Sequence, residues 1–301
     1  MAANILYNNC PFCNSNNFHF SLKAKDYTVS KELFDIYHCN SCSNRFTQNI
    51  ATQKEIGKYY QSENYISHSD TKKGFISKIY HTVRDITLKR KKSLIIRLTK
   101  KQKGNLLDVG AGTGAFSNTM TASGWSVTAL EPDETARTVA ATKYNLHLQN
   151  PEQLFQLLED SFDAITLWHV LEHIHTLKEY LTQFHKVLKF DGKLVIAVPN
   201  YTSYDASYYK EYWAGYDVPR HLYHFSPTGM EKMVNQLGFN VIATKPMWFD
   251  SVYVSILSEQ YKTGKASFIR ALFIGMLSNA KAMFNTKKCS SVIYILEKKK
   301  L

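Results

Sequence analysis

Leu106-Leu107-Asp108-Val109-Gly110-Ala111-Gly112-Thr113-Gly114 is an apolar run that passes through a carboxylate into a Gly-x-Gly-x-Gly turn. Glycines let the backbone turn tightly and let a ligand approach with no Cβ in the way. At the carboxyl edge of a sheet such a turn also presents helix N-terminal amides, where open α/β folds bind ligands. The spacing is not the dinucleotide Gly-x-Gly-x-x-Gly, and Asp108 stands two residues before the first glycine. Its charge would repel a pyrophosphate and attract a ligand carrying a cationic amino acid moiety. Further on, Leu130-Glu131-Pro132 follows a second apolar run, and an acid in that place can accept both hydroxyls of an adenosine ribose.

A different chemistry opens the chain. Four of its 5 Cys form Cys10-Pro-Phe-Cys13 and Cys39-Asn-Ser-Cys42, with 25 residues between the pairs. In a reducing compartment such pairs read as a tetrahedral zinc site rather than as two disulfides. The gap exceeds the usual spacing, so a longer hairpin must fill it, and Phe18–Leu22 and Leu33–His38 supply strands for it. His19 and His38 are alternative ligands, but four thiolates already complete the shell. A shell filled by protein makes the zinc structural, because a catalytic site keeps one position open. Cys289 stands alone and reads as a small packing residue.

The elements that must position these groups follow from pattern. With 301 residues, 44% hydrophobic and 21% charged types, the chain is long enough for a large domain carrying a small one. That composition excludes disordered, collagenous and disulfide-scaffold classes. No run approaches the roughly 18 apolar residues of a membrane span, and the N-terminus lacks a basic region followed by an apolar one. The reading is a cytoplasmic protein, with peripheral membrane association left open. The net charge of +12 is localised: between Thr71 and Lys103 stand twelve Lys or Arg against one acid, Asp85. Such an excess points to an anionic partner, RNA or an acidic lipid surface, or else to a solvated helical face. Apolar residues from Gly74 to Leu98 recur at helical period, as one helix or two broken near Thr87. From Asn105 short apolar runs at Leu106–Val109, Val127–Leu130, Phe162–Trp168 and Lys193–Val198 alternate with helical stretches at Ala115–Ser123, Glu134–Tyr144 and Lys178–Leu188. Strands spaced by helices imply a parallel sheet with both faces covered, a doubly wound α/β domain.

Four of these segments in order, LLDVGAGTG, ALEPD, FDAITLWHVLEHI and VLKFDGKLVIAVPN, resemble the successive motifs of class I S-adenosylmethionine-dependent methyltransferases. The group that contains ubiquinone- and menaquinone-biosynthesis enzymes is the most similar, and PRHLYHFSP recurs in it. The resemblance covers roughly Gly104 to Thr244. It implies a Rossmann-like seven-stranded domain over residues 104–301 with a helical insertion near 250–288. A zinc ribbon over 1–48 and a basic helical linker or lid over 49–103 would precede it. It also implies S-adenosyl-L-methionine as cofactor, with its amino acid part cradled by Asp108, Gly110, Ala111, Gly112 and Gly114. Glu131, with Pro132 beside it, would hold the ribose, and Trp168 and His169 would line the methyl-donor pocket. Where family members often carry an Asp near the adenine amine, this chain has Gln149-Asn150. The family ends in an antiparallel strand pair, matched here by Val241–Thr244 and Val292–Leu296. Between them Phe268–Phe284 is apolar at helical spacing and flanked by cations, so it packs on the core, lies on an acidic membrane surface or caps a greasy pocket.

Methyl transfer is an in-line displacement that asks the protein for alignment and, with a hydroxyl acceptor, for a base. His is the natural base near neutral pH, and His169 and His221 are the candidates. Glu172 and His173 could orient their loop, and Arg220 could meet an acidic group on the substrate. No Asn-Pro-Pro-Tyr or Asp-Pro-Pro-Tyr sequence follows the fourth strand, which removes support for exocyclic amine methylation of bases. No Cys falls in the motif region, which disfavours the covalent route to 5-methylcytosine. The expected activity is methylation, on oxygen, of a lipid-, quinone- or sugar-like small molecule. The alternatives are an rRNA or tRNA methyltransferase that grips phosphates with ribbon and basic helix, and a non-catalytic binding module.

Overall fold

The computed structural model describes residues 4–61, 75–265 and 267–300, with side chains of the first helix described from residue 83 onward. Residues 62–74 of the expected linker or lid, with Lys72 and Lys73 of the basic segment, therefore lie outside the described residues, as does the side chain of Lys78. The elements begin with β1 (Asn4–Ile5), β2 (Phe18–Lys25), β3 (Leu33–Cys39), β4 (Arg45–Thr47) and β5 (Ile50–Ala51). Helix α1 (Phe75–Thr99) is continuous through Thr87. Then come β6 (Asn105–Val109), α2 (Ala115–Thr121), β7 (Ser126–Leu130), α3 (Glu134–Tyr144), β8 (Phe162–Trp168), α4 (Leu177–Val187) and β9 (Leu188–Pro199). The chain finishes with α5 (Tyr204–Tyr209), β10 (Tyr223–His224), α6 (Pro227–Gln236), β11 (Phe239–Pro246), α7 (Trp248–Thr263), α8 (Phe268–Phe284) and β12 (Ser291–Lys298).

By compactness the chain divides into two units. One comprises Met1–Ile66, His169–Lys178 and Ala197–Tyr294, and the other Ser67–Trp168, Glu179–Ile196 and Ile295–Leu301. Strands β9 and β12 contribute residues to both.

The second unit carries the alternating strands and helices. Within the six-stranded sheet its strands β9, β8, β6 and β7 stand side by side in that order. Strand β6 pairs in parallel with β7, Asp108 opposite Ala129, and with β8, Asp108 opposite Thr166. An isolated parallel bridge between Leu130 and Gln149 marks where a seventh strand would begin. Strand β8 is buried almost throughout, as expected of a strand covered on both faces. Helix α3 starts where Asp133 accepts the Ala136 N–H at 2.9 Å and ends at Asn145 in the left-handed region, a side-chain cap at one end and an αL stop at the other.

The first unit starts as a hairpin. Strands β2 and β3 pair antiparallel from Phe18–Cys39 to Lys25–Leu33, with a bulge between Phe20 and Leu22. Strand β4 continues this sheet, and its far edge is covered by β10, with Tyr223 opposite Phe46 and His224 opposite Arg45. The ribbon therefore shares a sheet, and a core containing Phe34, Ile36, Tyr59, Tyr209, Trp213 and Val218, with much later sequence.

One buried charge organises that junction. The Asp26 carboxylate accepts the N–H groups of Thr28, Val29 and Ser30 at 2.9, 3.1 and 2.7 Å, which builds the β2–β3 turn. The Arg220 guanidinium lies 3.1 Å from the same carboxylate and donates also to Asp217 at 2.6 and 3.0 Å, to the Tyr59 carbonyl at 2.7 Å and to Thr28. Arg220 is 1% exposed. This corrects the expectation that it meets an acidic group on the substrate, since its donors are engaged within the fold.

Burial opposes the charge of Asp26, but the Ser30 N–H and Arg220 outweigh it and hold the carboxyl well below its ordinary range. A depressed carboxyl stabilises the fold above its unfolded pKa, near 3.9, and loses that contribution as the pH falls further. Replacing Asp26 by Asn removes one of the two carboxylates that face Arg220, leaving Asp217, and should lower the unfolding free energy by about 1.5–3 kcal/mol in urea titrations at neutral pH. The gap between wild type and variant should narrow below about pH 4; a gap that is absent, or unchanged with acid, contradicts this account.

Candidate functional site

The glycine loop is held open by its own hydrogen bonds. Gly110 and Ala111 donate to the Leu130 carbonyl at 2.8 and 3.0 Å, which ties the end of β6 to the end of β7. The Gly112 N–H donates to Glu131 Oε2 at 2.7 Å, and Glu131 Oε1 accepts the Asp133 N–H at 3.0 Å. Burial raises the Glu131 pKa, and the two backbone donors oppose that rise. Gly112 and Gly114 have φ of 55° and 78°, in the region that favours glycine. A Cβ on Gly112 would project into open space, whereas one on Gly114 would come within 3.0 Å of Ala140 Cβ. Gly112 thus keeps the loop surface bare, and Gly114 lets the loop pack against α3.

That surface floors a cleft of about 380 Å³ in the second unit. Asp108, Gly110, Ala111, Gly112, Phe116 and Trp168 line it on one side, and Arg84, Leu88 and Lys91 of α1 on the other. Gly114, Glu131 and Pro132 are not among its lining residues. The carbonyls of Glu131 and Pro132 both accept from Arg137, each at 2.8 Å. Asp108 is 1% exposed and bonded on both oxygens, to Ser117 Oγ at 2.7 Å and Thr166 Oγ1 at 2.8 Å. Burial raises its pKa, and those hydroxyls and the Lys91 charge pull it back. The Lys91 ammonium sits 4.2 Å over the Trp168 ring, so that ring already serves as a cation-binding face.

His169 and His221 belong to the first unit. His169 has φ of 59°, a left-handed backbone that only surrounding contacts can hold. Its Nε2 lies 2.8 Å from Asp250 Oδ2 and its Nδ1 3.4 Å from Glu172 Oε1. Burial disfavours its charge, but the two carboxylates prevail and lift its pKa to about 10. At neutral pH it is an imidazolium with both ring nitrogens protonated. Glu172 is fully buried, and neither of its oxygens has a hydrogen bond among the described residues. Burial raises its pKa but the neighbouring His side chains lower it overall. His221 Nδ1 donates to the Gly215 carbonyl at 2.9 Å, and the other ring nitrogen is Nε2. That Nε2 is 4.0 Å from both Glu172 Oε1 and Asp217 Oδ2. His173 is brought to about 4 by burial and the His221 charge, and its Nδ1 lies 3.0 Å from both the Arg220 carbonyl and Tyr60 Oη. His224 packs on Thr47 and His175 on the Ala51 carbonyl, each at 3.0 Å.

The four N-terminal cysteines also converge. Their Sγ atoms all lie within 4.8 Å of one another, with Cys10 to Cys42 at 3.7 Å and Cys13 to Cys39 at 3.6 Å. None is in a disulfide. Each pair sits in a tight turn closed by a left-handed residue, Asn14 after Cys13 and Ser43 after Cys42.

A methyltransferase-domain family profile matches residues 81–244, more than half of the chain. The chain belongs to the methyltransferase domain family. The ubiquinone biosynthesis O-methyltransferase of Hydrogenovibrio crunogenus is 31% identical over 108 residues, 33% of this chain and 45% of that one. Its counterpart from Rickettsia typhi is 24% identical over 156 residues, covering 50% and 62%. The chain spans about half the length of these curated relatives. The crystal structure of magnesium protoporphyrin IX methyltransferase from Synechocystis PCC 6803 with bound SAH superposes with a TM-score of 0.54 at 14% identity, over 82% of this chain and 100% of that one. At that identity the likeness is one of fold. Within the methyltransferase domain match lie the glycine loop, Glu131, Trp168, His169 and His221; the four cysteines and Asp250 lie outside it.

The methyltransferase motifs did not reveal Lys91, Ser117, Thr166 or Asp250. Thr166 left a signal, a hydroxyl inside the otherwise apolar end of β8 and in register with Asp108. Asp250 left none, because it reaches His169 across 81 residues.

Proposed function

We propose that the chain is an S-adenosylmethionine-dependent methyltransferase that methylates oxygen on a lipid-, quinone- or sugar-like small molecule. The observation that carries this is the cleft over the bare Gly110–Gly114 turn, in a chain of the methyltransferase domain family. At about 380 Å³ it falls in the usual range of ligand pockets, roughly 300–1,000 Å³. The residues fit the cofactor: Gly112 leaves room at the floor, Asp108 adds negative potential, and the Trp168 face accepts a cation. When bound there, S-adenosylmethionine supplies an electrophilic methyl group on sulfur. Gly110, Ala111 and Gly112 are assigned to its amino acid part and Glu131 to its ribose, which requires Glu131 to exchange its bond to the Gly112 N–H. Names of the relatives point to hydroxyl oxygen as the acceptor atom.

We assign the base to His221, whose Nε2 can take the hydroxyl proton as the new oxygen–carbon bond forms, and a positioning role to the charged His169. The alternative in which the basic segment grips RNA has less support, because Arg84 and Lys91 of that segment line the cleft itself.

The four cysteines are assigned to a structural zinc ion. A tetrahedral ion with bonds of about 2.3 Å sets its sulfurs about 3.8 Å apart, close to the 3.6 and 3.7 Å found here. Four protein ligands leave no position for substrate, so the ion would fix the two Cys turns and nothing more.

Two tests follow. Labelled-methyl transfer to a panel of hydroxylated quinones, lipids and sugars should find an acceptor, and His221→Asn should lower kcat about 10²–10⁴-fold with little change in cofactor affinity. Activity confined to RNA, or an unchanged kcat in the variant, contradicts the assignment. Elemental analysis of fresh, reduced protein should return about one zinc per chain, falling in Cys13→Ser; folded protein without metal excludes the ribbon zinc.

A further inference from the structure

The α7–α8 helix pair is built inside out. Along α8 the buried positions are Ala271, Ile274, Gly275, Ser278 and Ala282, mostly small residues. The large apolar side chains Phe268, Ile269, Phe273, Met276, Met283 and Phe284 point away from the unit, 57–91% exposed. Helix α7 repeats the pattern: Ser251, Ser255, Ser258 and Glu259 are buried, while Trp248, Phe249 and Tyr253 are 36–50% exposed. The small inner residues bring the backbones together, since a Cβ on Gly275 would lie 2.8 Å from Val252 Cα. Asn279 ties the pair by donating to the Trp248 carbonyl at 2.9 Å. In water a helix pair buries its large apolar residues and exposes small polar ones; small residues between helices and large apolar ones outside are the arrangement used in lipid.

Charge identifies what covers this face. From Gln260 to Leu296 the chain carries six Lys or Arg and no Asp or Glu. Lys262 and Lys265 stand at the α7–α8 turn, Arg270 and Lys281 on α8, and Lys287 and Lys288 just beyond it; Arg270 is paired with Glu259 of α7 and Lys287 with Glu231, so the border's excess charge comes from the four other lysines. Two copies of this face would bring like charges together, whereas anionic headgroups would complement them. Among the described residues no helix is long and apolar enough to cross a membrane. A helix with one strongly apolar face and a cationic border lies instead in the headgroup boundary, its apolar side chains about 5–10 Å deep.

We propose that the exposed face of α8, with Trp248, Phe249 and Tyr253 of α7, docks the protein onto an anionic lipid surface. The exposed aromatic rings suit the interfacial depth, where one side is apolar and the other wet.

The test is flotation of the full chain with phosphatidylcholine vesicles and with vesicles containing 30% phosphatidylglycerol. The protein should float with the anionic vesicles and not with the neutral ones. Ile269→Gln, Phe273→Gln and Met276→Gln together should weaken that binding at least tenfold while leaving the melting temperature and cofactor binding unchanged, because all three side chains are exposed and remote in sequence from the glycine loop. The proposal is overturned if neither vesicle is bound, or if the triple variant binds as well as the wild type, which would move lipid affinity to the basic helix α1. It is overturned equally if the variant converts a dimer into a monomer and the wild type ignores lipid, which would make a second copy the occupant. Lipid binding without methyl transfer would support docking and count only against the enzymatic reading.

Discussion

A single backbone-to-carboxylate bond, Gly112 N–H to Glu131, sets the shape of the cleft. It joins the turn after β6 to the end of β7 and keeps a left-handed glycine in place with no side chain over the floor. Placing a carboxylate there has an electrostatic cost, visible in the raised pKa of Glu131, and the loop donors offset it. The same carboxylate is the group assigned to a ribose, so ligand and loop compete for one acceptor. If a ribose takes that carboxylate, the Gly112 N–H must find another acceptor.

Asp108 shows a related economy. Sequence reasoning aims it at a cationic ligand group, and the structure shows a carboxylate at the cleft wall whose hydrogen bonds go to Ser117 and Thr166. Its effect on a ligand is therefore one of potential more than of direct bonding, and Lys91 over Trp168 shows where a positive charge settles in that field. A sulfonium would enter a site already suited to a cation, with Lys91 as its competitor.

Much of the α/β scaffold was legible because its signals are local. The β6–glycine–α2 unit, the exact span Phe162–Trp168 of β8 and the limits of α3 and α8 follow from apolar runs bounded by Gly, Pro, Asn and Asp. The cysteine cluster was equally readable, since spacing alone brings two Cys pairs together. What escaped is non-local. Nothing in β10 announces that two residues, Tyr223 and His224, complete the ribbon sheet. Arg220 and Asp26 are separated by 194 residues, and a surface role for Arg220 is the natural reading until its burial is seen. His169 has the same history: a histidine near an expected donor pocket reads as a base, and only Asp250 and Glu172 beside it make it a cation. The apolar character of Phe268–Phe284 was plain, but which residues face outward depends on α7, which periodicity did not reveal.

The proposed ligand of the Gly110–Gly114 turn is a sulfonium nucleoside. Calorimetric titration of the full chain with S-adenosylmethionine, repeated on Gly112→Val, tests it most directly, because the variant places a branched side chain in the cleft at a left-handed backbone. The wild type should show saturable one-to-one binding, and the variant at least a tenfold loss. A wild type that takes up no S-adenosylmethionine, or a variant that binds it equally well, would contradict it.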